Sequence, residues 1–130
     1  MRDRFPPDDP RERLNRARSN LALARIQSES VYLEDLCFNA QQAVEKALKA
    51  LLIKRRVEFP YVHDIARLLS LLEEAGQPIP DPVRQAERLT RFAAFTRYPG
   101  VAPPISGDEY VEAVECAQLF LRWAEGLVGE

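Results

Sequence analysis

Apolar positions recur along most of this chain at three- and four-residue intervals, the spacing of helices that bury one face. Leu14, Ala17, Leu21, Ala24 and then Gln27 or Ser28 repeat behind Pro10, a residue suited to a first helical turn, and predict a helix over 10–29 with an arginine-rich outer surface. Leu36, Ala40, Ala43, Val44, Ala47, Leu48, Leu51 and Leu52 make a broader stripe in a second helix. Its composition of Ala, Leu, Lys, Glu and Gln favours helix. Glu45 stands one turn before Lys49, the favourable order for an ion pair, and the run Lys54-Arg55-Arg56 suits the negative end of the helix. The width of this stripe predicts a second contact surface, such as a homodimer face.

Pro60 stops that pattern, and a third helix is predicted to start near His63-Asp64, carry Ile65, Leu68, Leu69 and Leu72 inward, and end at Gly76 ahead of Pro78. A fourth, over 82–96, should turn Val83, Ala86, Leu89, Ala93 and Phe92 or Phe95 inward and stop at Tyr98-Pro99-Gly100. After a loop over 99–107, Ser106 or Asp108 can cap a fifth helix, with Tyr110, Val114, Ala117, Leu121, Ala124 and Val128 along one face. No segment reads as a strand. The predicted fold is all-α, an antiparallel up-and-down helical bundle of about five helices. Residues 1–9 are expected to form a flexible leader, and 10–130 a single domain.

Composition changes this picture little. With 130 residues, 46% hydrophobic and 29% charged, the chain is of a size and make-up for one globular domain. A net charge of −2 gives no whole-molecule attraction to nucleic acid, though a local patch remains open. No apolar run reaches membrane-span length, and the N-terminus lacks the apolar core of a signal peptide. Cys37 and Cys116 read as buried free thiols, which points to a reducing, cytoplasmic setting.

Glycine-rich phosphate loops and clusters at metal-ligand spacing are absent from the sequence, so no cofactor or metal is expected. Three features have a structural and a chemical reading each. His63, the single histidine, either helps start the third helix or acts as a base kept neutral by the helix N-terminus. In Thr96-Arg97-Tyr98-Pro99, Arg97 either satisfies last-turn carbonyls or holds a phosphate or carboxylate, and Tyr98 either packs or stacks on a base. Gln42, Lys46 and Lys49 form either a solvated helix face or the polar wall of a groove.

The segment from Phe38 through Asn39-Ala40-Gln41-Gln42-Ala43-Val44-Glu45-Lys46-Ala47-Leu48-Lys49 to Leu52 resembles the second-helix signature of the HEPN (higher eukaryotes and prokaryotes nucleotide-binding) domain family. His63-Asp64-Ile65 with Leu68-Leu69 is similar to the family's His-Asp-Leu segment, and Thr96-Arg97-Tyr98-Pro99 to its Arg-Tyr-Pro element, in family order. The resemblance spans about residues 10–128. It implies an up-and-down bundle, commonly a homodimer, that binds a nucleotide or RNA. It also implies a separately encoded minimal nucleotidyltransferase as partner, in pairs that often act as toxin–antitoxin systems. By position, Lys46, Lys49, His63, Asp64, Arg97 and Tyr98 become the implied nucleotide-binding residues. Other family members are metal-independent ribonucleases in which four to six residues separate an Arg from a following His. Arg56 and His63 meet that spacing, acting across a dimer, although Val57 stands where a polar residue is usual and Pro60 interrupts the segment. A third implied role is that of a helical protein-interaction adaptor.

Overall fold

The computed structural model describes residues 3–94 and 104–129. Among the described residues, five α-helices and a 3₁₀ segment make up the fold: α1 (Pro10–Ala24), α2 (Leu33–Lys54), α3 (Ile65–Glu74), α4 (Asp81–Arg84) running into the 3₁₀ segment Gln85–Ala94, and α5 (Gly107–Val128). No strand occurs among the described residues.

The central helix is α2, which packs against α1, α3, the 3₁₀ segment and α5. Its broad stripe is used up inside the protomer: Leu36, Ala40, Ala43, Val44, Ala47, Leu48, Leu51 and Leu52 are all buried by these neighbours. The stripe's width is therefore explained without a second protomer. Hydrogen bonds give the helix directions. The Ile105 amide donates to Glu34 Oε1 (2.9 Å) at one end, and Lys54 Nζ donates to the Val128 carbonyl (2.9 Å) at the other, so α2 and α5 run the same way. Between α1 and α2, Asn20 pairs with Asn39 (2.9 Å), and Lys46 reaches Asn20 (2.7 Å). The Tyr110 hydroxyl, from the first turn of α5, donates to the Ala24 carbonyl at the last turn of α1 (2.6 Å).

Several boundaries differ from the sequence expectation for physical reasons. Helix α1 ends at Ala24, capped by Arg25, and Gln27 and Ser28 lie exposed beyond it. The described part of the 82–96 pattern is one α-turn, Asp81–Arg84, followed by a 3₁₀ helix, Gln85–Ala94, while Phe95 and the expected stop at Tyr98-Pro99-Gly100 lie outside the described residues. Val83, Ala86, Leu89 and Phe92 recur every three residues, and three residues per turn keep all four inward. Ala93, expected inward, is only half-buried. On α5 the capping box is Ser106 with Glu109; Asp108 is not the cap, and Phe120 takes a core position while Val114 packs at its margin. The leader is tied down along α1: the Phe5 amide donates to Glu12 (3.0 Å), Arg13 Nε to the Pro7 carbonyl (3.2 Å), and Asn15 to the Asp3 carbonyl (2.9 Å). No described helix is long and apolar enough to cross a membrane.

Candidate functional site: a buried carboxylate behind the single histidine

Gln41, Glu45 and Lys49 stand one turn apart on α2, so their side chains form a single row. The row faces inward: Gln41 is 0% exposed, Glu45 4% and Lys49 6%. A solvated face for Lys49 is thus ruled out. Burial of such groups is costly unless they satisfy one another. Here Gln41 Nε2 donates to Glu45 Oε1 (2.9 Å), Lys49 Nζ donates to Glu45 Oε2 (2.9 Å), and His63 Nδ1 lies 2.9 Å from Glu45 Oε1. Gln42 donates to Gln41 Oε1 (2.9 Å), extending the chain to the half-buried rim. Among the described residues no buried side-chain polar atom is left without a partner.

Burial pushes the Glu45 carboxyl up, but hydrogen bonds from Lys49, His63 and Gln41, with the Lys49 charge, outweigh it and hold the pKa below the usual glutamate value. Glu45 is therefore a carboxylate at neutral pH. A carboxylate only accepts, so Nδ1 of His63 carries the proton and donates. In the neutral ring Nε2 is then the acceptor, on the edge turned away from Glu45. The same carboxylate–imidazole arrangement fixes the tautomer of general-base histidines in enzymes. The sequence reading placed His63 under the control of a helix terminus alone; its partner across the fold is Glu45.

The loop from Arg55 to Asp64 brings His63 there. At its start, the Arg56 amide donates to the Ile53 carbonyl (3.0 Å) and the Val57 amide to the Leu52 carbonyl (2.9 Å), the paired bonds of a Schellman turn. That turn forces Arg56 to φ +58°, a left-handed conformation costly for a residue with a Cβ. At its end, Asp64 caps α3, accepting from the amides of Ala66 (3.1 Å) and Arg67 (3.4 Å). Thr90 Oγ1 takes the Ile65 amide (3.0 Å), tying this helix start to the 3₁₀ segment. Between them, the Phe59 and Tyr61 rings lie 5.9 and 5.3 Å from the Lys49 ammonium, within cation–π range. Tyr61 also meets His63 edge-on, with ring centroids 6.0 Å apart, yet is 90% exposed.

The residues singled out from sequence divide accordingly. Lys49 and His63 come together around Glu45. Asp64 adjoins them as a helix cap. Lys46 points elsewhere, toward Asn20 of α1, so Lys46 and Lys49 do not form one wall. Arg56 is exposed at the far end of the loop. Arg97 and Tyr98 lie outside the described residues. Sequence reasoning used Glu45 only as a surface ion-pair partner and missed Gln41 and Tyr61 as site residues. The available signal was three polar residues at four-residue spacing in a helix whose other faces are largely apolar.

Elsewhere, Cys37 is fully buried, and desolvation pushes its thiol up to about 11. Cys116 is only half-buried, at the side of a cavity of about 400 Å³ between the 3₁₀ segment and α5. Two ion pairs cross that cavity, Arg88–Glu112 (3.4 Å) and Arg91–Glu109 (3.2 Å). No group of three or more His, Cys, Asp or Glu able to hold a metal ion occurs among the described residues.

This architecture is shared with solved structures. A crystal structure of an archaeal HEPN homologue is 27% identical, with a TM-score of 0.72, covering 92% of this chain and 98% of that one. A crystal structure of a Thermus thermophilus protein is 28% identical, with a TM-score of 0.70, covering 90% of this chain and 96% of that one. No curated protein matches significantly. The HEPN domain profile matches residues 10–127, nearly the whole chain, and with the buried signature helix, the capped His-Asp turn and the shared bundle this chain belongs to the HEPN domain family.

Proposed function

We propose that this HEPN protein is an endoribonuclease that works without a metal ion, with His63 as its base. The observation that carries the reading is the Glu45–His63 pair: an ionised, buried carboxylate 2.9 Å from Nδ1 leaves Nε2 as the proton acceptor. His63 Nε2 takes the proton of a ribose 2′-hydroxyl. The 2′-oxygen attacks the adjacent phosphorus, the bond from phosphorus to the 5′-oxygen breaks, and the leaving oxygen takes a proton from solvent. The products are a 2′,3′-cyclic phosphate end and a 5′-hydroxyl end. Tyr61, exposed beside the ring, offers a face on which a base stacks.

Arg56 supplies positive charge to the phosphate from a second protomer. Along α2, Glu45 and the helix end at Arg55 are ten residues apart, a rise of about 15 Å, more than one arginine side chain spans. A composite site between two protomers answers that separation. A non-glycine residue held in the left-handed region also fits a functional position.

The test is cleavage of single-stranded RNA in EDTA by wild type and His63→Ala, with helicity checked by circular dichroism. The variant should lose about 10²- to 10⁴-fold in rate, the usual worth of a positioned base. Undiminished cleavage by His63→Ala, or none by folded wild type, sinks the reading. A second reading, a nucleotide-binding partner of a minimal nucleotidyltransferase in a toxin–antitoxin pair, is favoured by the cationic surroundings of Lys46.

A further inference from the structure

On the α1 side of α2, away from the Glu45 row, the leader folds over α1 and encloses a cavity of about 320 Å³. Four cations line it, Arg4, Arg13, Arg16 and Lys46, against one carboxylate, Glu12. Glu12 is already engaged, accepting the Phe5 amide (3.0 Å) and the Arg16 guanidinium (3.2 Å). Arg13 is held by the Pro7 carbonyl and stands 3.9 Å from Asp8, which is itself almost fully exposed. Arg4 makes no hydrogen bond or ion pair with the described residues.

Lys46 sits half-buried with no carboxylate at ion-pair distance among the described residues. Its ammonium is aimed by a relay from α1 to α2: it donates to Asn20 Oδ1 (2.7 Å), and Asn20 donates to Asn39 Oδ1 (2.9 Å). One of three N–H donors is spent there, leaving two for a ligand. Desolvation, the nearby Arg16 charge and, less strongly, Arg13 depress the Lys46 pKa, while Glu45 opposes them. Crowding of like charges is relieved when an anion enters.

We infer that the cleft formed by Arg4, Arg13, Arg16 and Lys46 is a phosphate-binding site, separate from the His63 centre. A phosphate offers the charge and the several acceptors that guanidinium forks and an ammonium satisfy together. The phosphate comes either from an RNA backbone or from a mononucleotide. The first source rests on the ribonuclease reading; the site itself does not.

The experiment is fluorescence anisotropy with an uncleavable 2′-O-methyl oligoribonucleotide, and calorimetry with adenosine monophosphate. Both use wild type, the double variant Arg13→Ala/Arg16→Ala and the charge reversal Arg16→Glu. These side chains lie at the surface, and circular dichroism checks the fold. Affinity should fall at least tenfold in both variants. In the double variant the slope of log affinity against log salt should flatten by about 1.4, from two lost contacts at about 0.7 each. Oligonucleotide binding alone marks a backbone clamp, and binding of the mononucleotide as well marks a site for a terminal phosphate; loss of either in the variants supports the cleft. Binding of neither probe by wild type, or equal binding by wild type and variants, overturns it. Cleavage is scored separately. A chain that holds RNA through the cleft without cutting it loses the ribonuclease reading and keeps the site, while His63-dependent cutting with binding unchanged in the variants does the reverse.

Discussion

Arg56 and Gly76 occupy equivalent places at the ends of two helices, and the difference between them is instructive. Both sit in Schellman turns, Arg56 at φ +58° and Gly76 at φ +99°. Glycine takes that conformation at no steric cost, whereas in arginine the Cβ crowds the following carbonyl oxygen. The neighbouring Arg55 bridges the two turns, reaching the Ala75 carbonyl (3.1 Å) and Gln77 Oε1 (2.7 Å). Arg56→Gly should therefore raise stability by about 1 kcal/mol in urea unfolding. If Arg56 serves the proposed ribonuclease, the same variant loses cleavage while gaining stability. A variant that is less stable would contradict the left-handed assignment. The residue scale also shows what the sequence concealed. The Arg56–His63 spacing was legible, but a spacing in a loop fixes no contact, and His63 finds its partner 18 positions away at Glu45.

At the scale of elements, the start of α3 is where helix chemistry and candidate chemistry meet. Asp64 belongs to the implied nucleotide site by position, yet its carboxylate is taken up by the Ala66 and Arg67 amides. Asp64→Ala should cost about 1 kcal/mol of stability in thermal or urea unfolding. Asp64→Ser keeps a capping oxygen without charge and should restore most of it, and RNA cleavage should follow stability across the pair. Cleavage lost in Asp64→Ser at full stability would make Asp64 a site residue after all. Element identity was largely readable: the inward faces of α1, α2 and α3 are those the periodicity selects. The segment after Asp81 was not read as 3₁₀, because apolar residues three apart fit an α-helix nearly as well over so short a stretch. Packing of Ala86, Leu89 and Phe92 against their neighbours settles the tighter winding.

For the whole molecule, acid should be the condition that loosens the fold. The pKa values of Asp9, Glu12, Glu45 and Glu109 are all lowered in the folded chain. A carboxyl with a depressed folded pKa binds its proton more readily when unfolded. Its contribution is present above the unfolded value, near 4.5 for glutamate, and is lost as pH falls through the lower folded value. Glu45 matters most, because protonating it strips the charge from a buried network holding Lys49 and His63. The urea midpoint should fall as pH drops below about 4.5. Glu45→Gln should flatten that dependence; an identical acid limb in the variant would show that Glu45 does not carry it.

The sequence by itself determined the fold class, because apolar periodicity, helix-forming composition and the placement of proline and glycine are local properties that the bundle obeys. The breadth of the α2 stripe was also legible, but it suggested a dimer face, and only the fold shows it covered by four neighbours of the same chain. Tertiary structure alone decided what the polar residues of that helix do. Of Gln42, Lys46 and Lys49, grouped in the sequence as a solvated face or groove wall, Lys49 is buried in a row with Gln41 and Glu45, while Lys46, one residue from Glu45, turns about 100° around the helix into a different cleft. Burial changes the chemistry of a charged group more than its identity does, and burial depends on what the rest of the chain places on top of it.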